Sequence, residues 1–276
     1  MKNKYHIEKN TVQETLMIPL YGRKLCNDSF PDLYKDELAT IICDNVDYDF
    51  SELDKKKDGF FYKFGALEAA MRNLDIAYEI NDYLKSYPEA SVVNLGCGLD
   101  CTGHFVDNGK IRIYNIDFPD IIEIRNHLIP DKKQINIGCD INDITWMDKI
   151  DSSKGVVLFA SGVFHYFSYE QVYTLIDEMS KRFGNGRLVF DTVGSLGHRL
   201  MMKKVLKNFG ITDVSDYFHV DDVEKELKDR FKDIYVTSRD YMLGYYDLRQ
   251  LSSSYRFLSK VGDKLMKMQI VRMDFR

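Results

Sequence analysis

The sequence lacks several features that would place the chain in a specialised class of protein. Its formal net charge is −5 over 276 residues, so there is no basic excess to hold nucleic acid phosphates or an anionic membrane surface. No apolar run approaches the ~20 residues that a bilayer span requires, and the longest, Gly155–Phe164, has the length of a strand. The polar N-terminal residues lack the apolar stretch of a signal peptide. We therefore expect neither a nucleic acid nor a membrane as a partner.

The cysteine content gives no sign of a disulfide framework. The five cysteines are odd in number, scattered along the chain, and form no CxxC pair. They are Cys26, Cys43, Cys97, Cys101 and Cys139. Three of them lie in or beside predicted strand ends, where a small, weakly polar side chain packs well. We therefore expect buried reduced thiols and a cytoplasmic location.

What is present is the composition of an ordinary globular protein, with 45% hydrophobic and 29% charged residues. The first ninety residues show apolar side chains at helical spacing, most clearly over Ala66–Tyr87, and Pro88 then stops the helix. From Ser91 the pattern changes to alternating strands and helices. We therefore predict two regions, an N-terminal helical cap or substrate lid over residues 1–88 and a core over residues 89–276.

The core region contains seven candidate strands. They are Ser91–Leu95, Ile111–Ile116, Gln134–Gly138, Gly155–Ala160, Gly186–Asp191, Phe231–Ser238 and Met268–Phe275. A helix is expected to begin near Pro119, a clean amphipathic helix covers Val172–Phe183, and further helices are expected over Leu196–Phe209 and Val220–Asp229. The alternation predicts an α/β fold with a doubly wound, mostly parallel sheet that ends in an antiparallel hairpin. The aromatic insertion at about residues 240–267 is placed to cover an active site.

A glycine loop, Gly96–Asp100 (GCGLD), follows the first of these strands. Ligands of doubly wound sheets bind at the carboxyl ends of the strands. Asp117 ends the next strand, 21 residues after Gly96, and at that spacing a carboxylate can accept both hydroxyls of an adenosine ribose. NAD usually comes with a third glycine, so that its pyrophosphate can sit on a helix N-terminus, but here that position is Cys101. The loop therefore favours an adenosine ligand without a pyrophosphate, which is S-adenosylmethionine (SAM).

A purely structural interpretation of the same residues stays open. Gly96 and Gly98 can simply form a tight turn, because glycine tolerates backbone conformations that other residues avoid. Asp117 can simply cap the helix that begins at Pro119. In that case the loop would bind no ligand.

Several segments resemble the leucine carboxyl methyltransferase family, in particular its bacterial branch of tetracenomycin-type polyketide O-methyltransferases. These segments are Gln13–Arg23, Val92–Asp100, Asp107–Lys110, Tyr114–Asp120, Gly162–Phe167 and Leu188–Asp191. The resemblance covers nearly the whole chain and is weaker after Asp191. It implies a class I, Rossmann-like SAM-dependent methyltransferase fold, in which a mostly parallel seven-stranded sheet with an antiparallel last strand carries an N-terminal helical cap.

The resemblance also implies which residues bind the cofactor. Arg72 would pair with the SAM carboxylate, since its planar fork meets both oxygens at once, although by itself it reads as a solvated helix residue. Asp117 would bind the ribose, and Asp140 would accept from the adenine amino group. The other implied cofactor contacts are Gly96, Cys97, Gly98, Phe118, Ile141 and Ser161. Ser161 stands where the family often has Glu or Gln, so we expect one polar contact to the cofactor to be shortened or water-mediated.

The methyl acceptor is less determined than the donor. His165 and Tyr166 follow the fourth strand and are expected to face the methyl group, His165 as a general base or substrate contact. Tyr166 can equally be a packed aromatic. Three further aromatics, Tyr21, Tyr245 and Tyr246, are expected to line the acceptor pocket. A carboxylate acceptor needs no base at neutral pH, whereas a phenol, with a pKa of about 10, profits from one.

The leading hypothesis is a SAM-dependent methyltransferase that O-methylates a carboxylate or hydroxyl of a small molecule and releases S-adenosylhomocysteine (SAH). A non-catalytic SAM-binding module is an alternative that the Ser161 change keeps open. An NAD-dependent oxidoreductase is a second alternative, opposed by the missing third glycine. No metal is predicted, because His198 and His219 are not in metal-ligand spacing with each other or with the cysteines. The oligomeric state is left open.

Overall fold

The computed structural model describes residues 4–8, 12–206 and 217–276. The strands of this part of the chain are β1 (Tyr5–His6), β2 (Val46–Asp47), β3 (Ser91–Leu95), β4 (Arg112–Asp117), β5 (Gln134–Gly138), β6 (Val156–Ala160), β7 (Arg187–Thr192), β8 (Tyr235–Asp240) and β9 (Gln269–Asp274). The first two pair in parallel as a small separate sheet, which the sequence did not predict. The other seven form one sheet.

The order of strands in the large sheet is β5-β4-β3-β6-β7-β9-β8. Neighbours from β5 through β7 are parallel, and β9 is antiparallel to both β7 and β8. The chain therefore proceeds outward in one direction from β3 and in the other from β6. This reversal is the topological switch point at which such sheets bind ligands. The predicted sheet, including its antiparallel last strand, is confirmed.

Helices cover both faces of this sheet. They are α1 (Val12–Thr15), α2 (Met17–Ser29), α3 (Glu37–Asn45), α4 (Ser51–Asp54), α5 (Phe60–Ser86), α6 (Thr102–Val106), α7 (Pro119–Leu128), α8 (Tyr169–Arg182), α9 (Ser195–Leu206) and α10 (Ser253–Leu265). Pro119 is the first residue of α7, as predicted. Ser168 is the N-cap of α8 and forms a reciprocal capping box with Gln171. None of the described helices is both long and apolar enough to cross a lipid bilayer.

The all-apolar sequence of β6 reflects burial on both faces of the sheet. Val157 and Phe159 pack into the cluster of buried residues that includes α5. Leu158 and Ala160, which alternate with them, pack into the cluster that includes α8. All of these side chains are buried, and a strand buried on both faces reads as a continuous apolar run.

The long helix α5 connects the helical N-terminal part of the chain to the sheet. Its residues Leu67, Met71 and Ile80 share one cluster of buried side chains with Val92 of β3 and Val189 of β7. This helix lies on the N-terminal side of the boundary that we predict at residue 88, yet it packs directly on the sheet. The division of the chain into a cap over residues 1–88 and a core over residues 89–276 therefore remains a prediction.

The region between β7 and β9 departs most from expectation. The helix predicted over Val220–Asp229 is reduced to one π-helical turn, Glu224–Lys228. The strand predicted from Phe231 begins only at Tyr235, because the Ile234 amide donates to the Phe231 carbonyl and closes a turn. Both apolar side chains of that turn are buried, so the apolar residues in the sequence here indicate burial and not a strand. Residues 207–209 of the predicted helix Leu196–Phe209 lie outside the described residues. The strand predicted to end at Ser238 continues to Asp240, while the boundaries of the other six strands agree within one residue.

A buried acid on α5 couples the stability of the fold to pH. Asp75 is fully buried, and neither of its carboxylate oxygens has a hydrogen-bond partner among the described residues. Burial, together with the nearby carboxylates of Asp263 and Glu79, raises the pKa of Asp75 well above its usual range. Burial also raises the pKa of Asp263 to about 6. Both acids therefore hold a proton more tightly in the folded chain than in the unfolded chain.

This linkage gives a prediction for Asp75→Asn. Acids with raised pKa stabilise the folded state below an unfolded pKa of about 4, and that stability is lost as pH rises, for Asp263 up to its folded pKa of about 6. Asparagine cannot ionise, so we expect the variant to lose less stability between pH 5 and pH 8.5. At pH 8.5 it should be more stable than the parent by on the order of 1 kcal/mol. Urea unfolding at both pH values measures this.

The control is Asp58→Asn, whose aspartate side chain is 86% exposed and should leave the pH dependence unchanged. An identical loss of stability with rising pH in the parent and in Asp75→Asn would contradict the role given to Asp75.

Candidate cofactor and active site

The predicted cofactor residues lie at the carboxyl edge of the parallel strands. Gly96 follows β3, Asp117 ends β4, Asp140 comes two residues after β5, and Ser161 follows β6 directly. Since the carboxyl ends of neighbouring parallel strands meet at one edge, the sheet brings these four positions together.

The backbone of the glycine loop requires glycine at Gly96. Its φ is +63°, in the left-handed region that residues with a Cβ rarely adopt. A Cβ built at this position would lie 2.7 Å from Cγ2 of Val163, which follows β6. The loop between β3 and α6 and the segment after β6 therefore approach each other more closely than any other residue at position 96 would allow.

Two buried arginines hold the carbonyl groups of this loop. Nη1 of Arg125, on α7, donates to the carbonyls of Gly98 (3.0 Å) and Asp100 (2.7 Å). Nη2 of Arg23, on α2, donates to the carbonyl of Leu99 at 2.7 Å. Each charged bond of this kind is stronger than a neutral one, so the loop is fixed from two helices. Neither arginine was predicted from the sequence to contact the loop.

Asp117 binds the glycine loop as well as ending its own strand. Its Oδ2 accepts from the Gly98 amide at 2.8 Å, and its Oδ1 accepts from the Phe118 amide at 2.8 Å. Burial raises the pKa of Asp117, although these two amide bonds oppose the rise. The N-cap of α7 is Phe118, without a side-chain cap bond. The carboxylate therefore ties together the ends of β3 and β4 rather than capping the helix.

The remaining predicted cofactor residues differ in exposure. Asp140 is exposed, and its Oδ1 accepts from the backbone and side-chain nitrogens of Asn142. Phe118 is 47% exposed, whereas Ile141 and Cys97 are buried. The carbonyl of Ile141 accepts from Nε1 of Trp146 at 2.8 Å, which fixes the backbone after β5. At this edge of the sheet, two of the predicted cofactor residues are therefore exposed and two are buried.

Four residues meet at the ends of β6 and β7: Arg72 from α5, Gly162, His165 and Asp191, called here the Asp191 cluster. Nη1 of Arg72 lies 3.3 Å from Oδ2 of Asp191, and the Gly162 amide donates to Oδ1 at 2.6 Å. A Cβ on Gly162 would lie 2.6 Å from Nη1 of Arg72, so glycine is needed for the guanidinium to fit. Arg72 therefore reaches the carboxyl edge instead of being a solvated helix residue.

The Asp191 cluster contains an ion pair between the buried carboxylate of Asp191 and the guanidinium of Arg72, whose side chain is 21% exposed. Burial alone would raise the pKa of Asp191, but Arg72, His165 and the Gly162 amide outweigh it and hold that pKa well below its usual range. Nε of Arg72 is buried and has no partner among the described residues. The guanidinium thus uses one edge for Asp191 and keeps a donor for another group.

His165 belongs to the same cluster. Its Nε2 lies 3.2 Å from Oδ2 of Asp191, and its side chain is 4% exposed. Its Nδ1 is buried without a partner among the described residues. Tyr166, the next residue, is 49% exposed. The two candidate catalytic residues therefore lie in different environments, one within the cluster and one at the surface.

The three tyrosines expected to line the acceptor pocket have other partners. The hydroxyl of Tyr21 donates to Oδ1 of Asp54 at 2.6 Å. The hydroxyls of Tyr245 and Tyr246 donate to Glu79 Oε1 (2.8 Å) and to the Leu74 carbonyl (3.3 Å), both on α5. None of these bonds goes to a residue at the strand ends, and a substrate-binding role of the three remains a prediction.

His198 and His219, for which the sequence predicts no role, form a short row of rings with His165. The rings of His198 and His219 are stacked with centroids 5.2 Å apart, and the His198 and His165 rings are 6.4 Å apart. Burial lowers the pKa of His198 to about 4. Within the described ranges, no group of three His, Cys, Asp or Glu side chains is arranged to hold a metal ion. The five cysteines carry free thiols, four of them buried.

The chain is similar in sequence to a known family and to one curated protein. Residues 26–180, more than half of the chain, match the model of the leucine carboxyl methyltransferase family. The tetracenomycin polyketide synthesis O-methyltransferase TcmP of Streptomyces glaucescens is 28% identical over 185 residues, which is 66% of either chain and just under two thirds.

Two solved structures have similar folds at low identity. A protein of the DUF574 family from Streptomyces avermitilis has a TM-score of 0.58 at 11% identity, covering 95% of this chain and 97% of its own. A Thermobifida fusca protein assigned to the methyltransferases has a TM-score of 0.57 at 12% identity, covering 92% and 94%. The chain therefore shares its fold with these two proteins. By its match and its fold, the chain belongs to the leucine carboxyl methyltransferase family, whose members are methyltransferases with SAM as methyl donor.

Proposed function

We propose that this chain transfers the methyl group of SAM to an oxygen atom, in a hydroxyl or a carboxylate, of a small molecule. The observation that carries the proposal is the Asp191 cluster. Here an arginine whose Nε is buried and unpartnered and a buried histidine with an unpartnered Nδ1 lie beside one carboxylate at the carboxyl edge of the sheet. Nε of the arginine can donate to an anion, and Nδ1 of the histidine can accept a proton.

The residues at this edge fit the methionine end of SAM. Arg72 would bind the carboxylate of SAM through the guanidinium edge that Asp191 leaves free. Buried donors are rarely left unsatisfied in a protein, so an incoming carboxylate accounts for the unpartnered Nε. Gly96 and Gly98 would allow a close approach of the backbone to the ligand. Cys97 lies between these two glycines and Ser161 follows β6 directly, and both would contact the cofactor.

The adenosine end would lie over β4 and β5. Asp117 would accept from the ribose hydroxyls, and Asp140 would accept from the adenine amino group. Phe118 is exposed beside Asp117, where its ring can pack against the nucleoside. Ile141 would supply an apolar contact.

The acceptor would be bound near His165 and Tyr166. Bound SAM supplies an electrophilic methyl group, and alignment of the acceptor oxygen with that carbon provides much of the acceleration. His165 would take the proton of a hydroxyl, while Tyr166, Tyr21, Tyr245 and Tyr246 are the proposed acceptor contacts. The name of the TcmP relative points to polyketide synthesis, which supports a polyketide-like acceptor.

Calorimetric titration with SAM, SAH and NADH tests the donor part of the proposal. We expect SAM and SAH to bind and NADH not to bind, because the glycine loop offers no third glycine to a pyrophosphate. Binding of NADH alone would remove the proposal.

Methyl transfer itself is tested by incubating the protein and methyl-labelled SAM with extracts of small metabolites. Mild alkali then distinguishes the acceptor group, since a methyl ester releases labelled methanol and a methyl ether does not. A labelled product of either kind supports O-methylation. A label retained on nitrogen, sulfur or carbon contradicts it, and SAM binding without any product across many extracts favours a non-catalytic SAM-binding module.

Asp117→Ala tests the ribose contact. We expect the dissociation constant of SAM to rise about 5- to 150-fold, because hydrogen bonds to a charged group contribute roughly 1–3 kcal/mol. The matched control is Asp120→Ala, an exposed acid in the first turn of α7, which should leave the affinity unchanged. Equal affinities of the Asp117→Ala variant and the parent, measured calorimetrically, would show that Asp117 only supports the loop.

A further inference from the structure

Asp191 is the common partner of three donors in the Asp191 cluster. It accepts from Nη1 of Arg72 (3.3 Å), from the Gly162 amide (2.6 Å) and from Nε2 of His165 (3.2 Å). Its side chain is 5% exposed, and its position at the end of β7 places it between a helix and the segment after β6. Neither the family match nor the sequence analysis gives this aspartate a role.

The charge of Asp191 determines the protonation pattern of the His165 ring. An ionised carboxylate can only accept hydrogen bonds, and the pKa of Asp191 is held well below its usual range because Arg72 and its other partners outweigh burial. Nε2 of His165 must therefore carry the hydrogen in this contact. In the neutral imidazole the other nitrogen, Nδ1, then has a free lone pair.

The free lone pair is in a place where it needs a partner. Nδ1 is buried and unpartnered among the described residues, and a buried acceptor without a donor costs about 1–3 kcal/mol. An acceptor hydroxyl donates a proton to such a nitrogen, whereas a carboxylate, ionised at neutral pH, has none to donate. The cluster thus discriminates between the two acceptor groups left open above.

We propose that Asp191 is a positioning residue that fixes His165 in the Nε2–H tautomer, so that Nδ1 accepts the proton of a hydroxyl acceptor, while it orients Arg72 for the SAM carboxylate. This inference rests on the proposed methyltransferase function and narrows its acceptor to a hydroxyl. The hydroxyl oxygen forms a bond to the methyl carbon as the bond from that carbon to sulfur breaks. The hydroxyl proton goes to Nδ1, and the resulting imidazolium faces the negative charge of Asp191 before it releases the proton to solvent.

The tautomer is measured directly by long-range ¹H–¹⁵N NMR of protein labelled with ¹⁵N-histidine, at pH 8. The chain has six histidines, and His165→Gln assigns the signal of His165 by its disappearance. We expect the parent to show a protonated Nε2 and a bare Nδ1. In Asp191→Asn the amide can donate to Nε2, so we expect the proton to move to Nδ1.

Asp274→Asn is the matched control. Asp274 accepts from Nε of Arg187 (2.6 Å) at the opposite end of β7, so its loss should disturb the fold without changing the His165 tautomer. The proposal is overturned if the parent carries the proton on Nδ1, or if Asp191→Asn keeps the parental tautomer. The parent measurement decides by itself if Asp191→Asn does not fold.

The acceptor class has its own readout. Labelled product that survives mild alkali and whose methyl group is found on an ether oxygen by NMR supports a hydroxyl acceptor. Product that releases methanol, or that carries the label on nitrogen, sulfur or carbon, overturns it. With a hydroxyl acceptor, Asp191→Asn should lower the rate about 10²- to 10⁴-fold, the usual contribution of general base catalysis, and Asp274→Asn should not. Failure of the parent to bind SAM or SAH would count against the proposed function, whereas the tautomer reports on Asp191 alone.

Discussion

Replacing Gly96 by alanine is expected to destabilise the chain by roughly 2–5 kcal/mol. A non-glycine residue in the left-handed region costs about 1–2 kcal/mol, and Gly96 has a φ of +63°. The new Cβ would also lie 2.7 and 2.9 Å from the two Cγ atoms of Val163, and such overpacking costs about 1–3 kcal/mol more. Urea unfolding monitored by circular dichroism measures the sum.

Gly109→Ala separates the two contributions to this cost. Gly109 also has a positive φ, +76°, but a Cβ there would meet nothing within 4 Å. We expect it to lose only the backbone part, about 1–2 kcal/mol. If the two variants unfold at the same urea concentration, the contact with Val163 contributes nothing.

Shortening the facing side chain extends the test. Val163→Ala removes both Cγ atoms, so in the Gly96→Ala background it should recover part of the lost stability. In the parent background the same change should only cost stability, since it removes packed methyl groups. Additive effects of the two changes would mean that the positions do not interact.

The fold was predictable from the sequence where one physical effect dominates a segment. The continuous apolar run of β6 reports burial on two faces, and Pro119 can occupy the first turn of a helix but not its interior. Both were predicted to within one residue. Where an apolar residue is buried in a turn, as Phe231 is, the pattern alone cannot distinguish that turn from a strand.

The positions of the candidate site were predictable for a similar reason. Glycines after one strand and an acid at the end of the next mark the edge at which ligands bind, whatever the rest of the chain does. The sequence could not show that Asp117 also binds the Gly98 amide, because this contact depends on how β3 and β4 are placed beside each other.

The contacts that could not be predicted from the sequence are those of charged residues whose partners are distant along the chain. Arg125 is buried under the glycine loop 25 residues after Asp100, and Asp191 meets Arg72 across 119 residues. For Arg125 a signal did exist, since it lies among three buried isoleucines and Leu128 on the inner face of α7. An arginine at such a position needs a carbonyl or carboxylate partner. For Asp191 the signal was an acid directly at a strand end, as for Asp117.

Arg72→Met should have the largest combined effect on stability and ligand binding. Methionine approximates the length of the side chain but leaves Asp191 buried without its cation. Removing one partner of a buried ion pair costs about 3–5 kcal/mol. The SAM carboxylate would also lose two charge-assisted hydrogen bonds of about 1.5–3 kcal/mol each, so the dissociation constant of SAM should rise at least about 100-fold.

Acidification adds a signature to this prediction. The pKa of Asp191 is held well below its usual range, mainly by Arg72 acting against burial. An acid with a lowered pKa stabilises the fold above the unfolded pKa of about 4, and this contribution is lost as pH falls toward the folded pKa. The difference in stability between the parent and Arg72→Met should therefore be largest near pH 7 and shrink below pH 4.

Arg187→Met distinguishes loss of a buried ion pair from loss of the ligand contact. Arg187 is buried at the other end of β7, where it pairs with Asp274 (2.6 Å) and Asp82 (3.1 Å). Its replacement should cost a similar amount of stability in urea and leave the calorimetric affinity for SAM within about twofold of the parent, a change under 0.5 kcal/mol. If both methionine variants weaken SAM equally, the loss at Arg72 is an indirect effect of destabilisation. If only Arg72→Met weakens it, the loss of affinity arises at the Asp191 cluster and not from general destabilisation, as expected if the guanidinium contacts the cofactor.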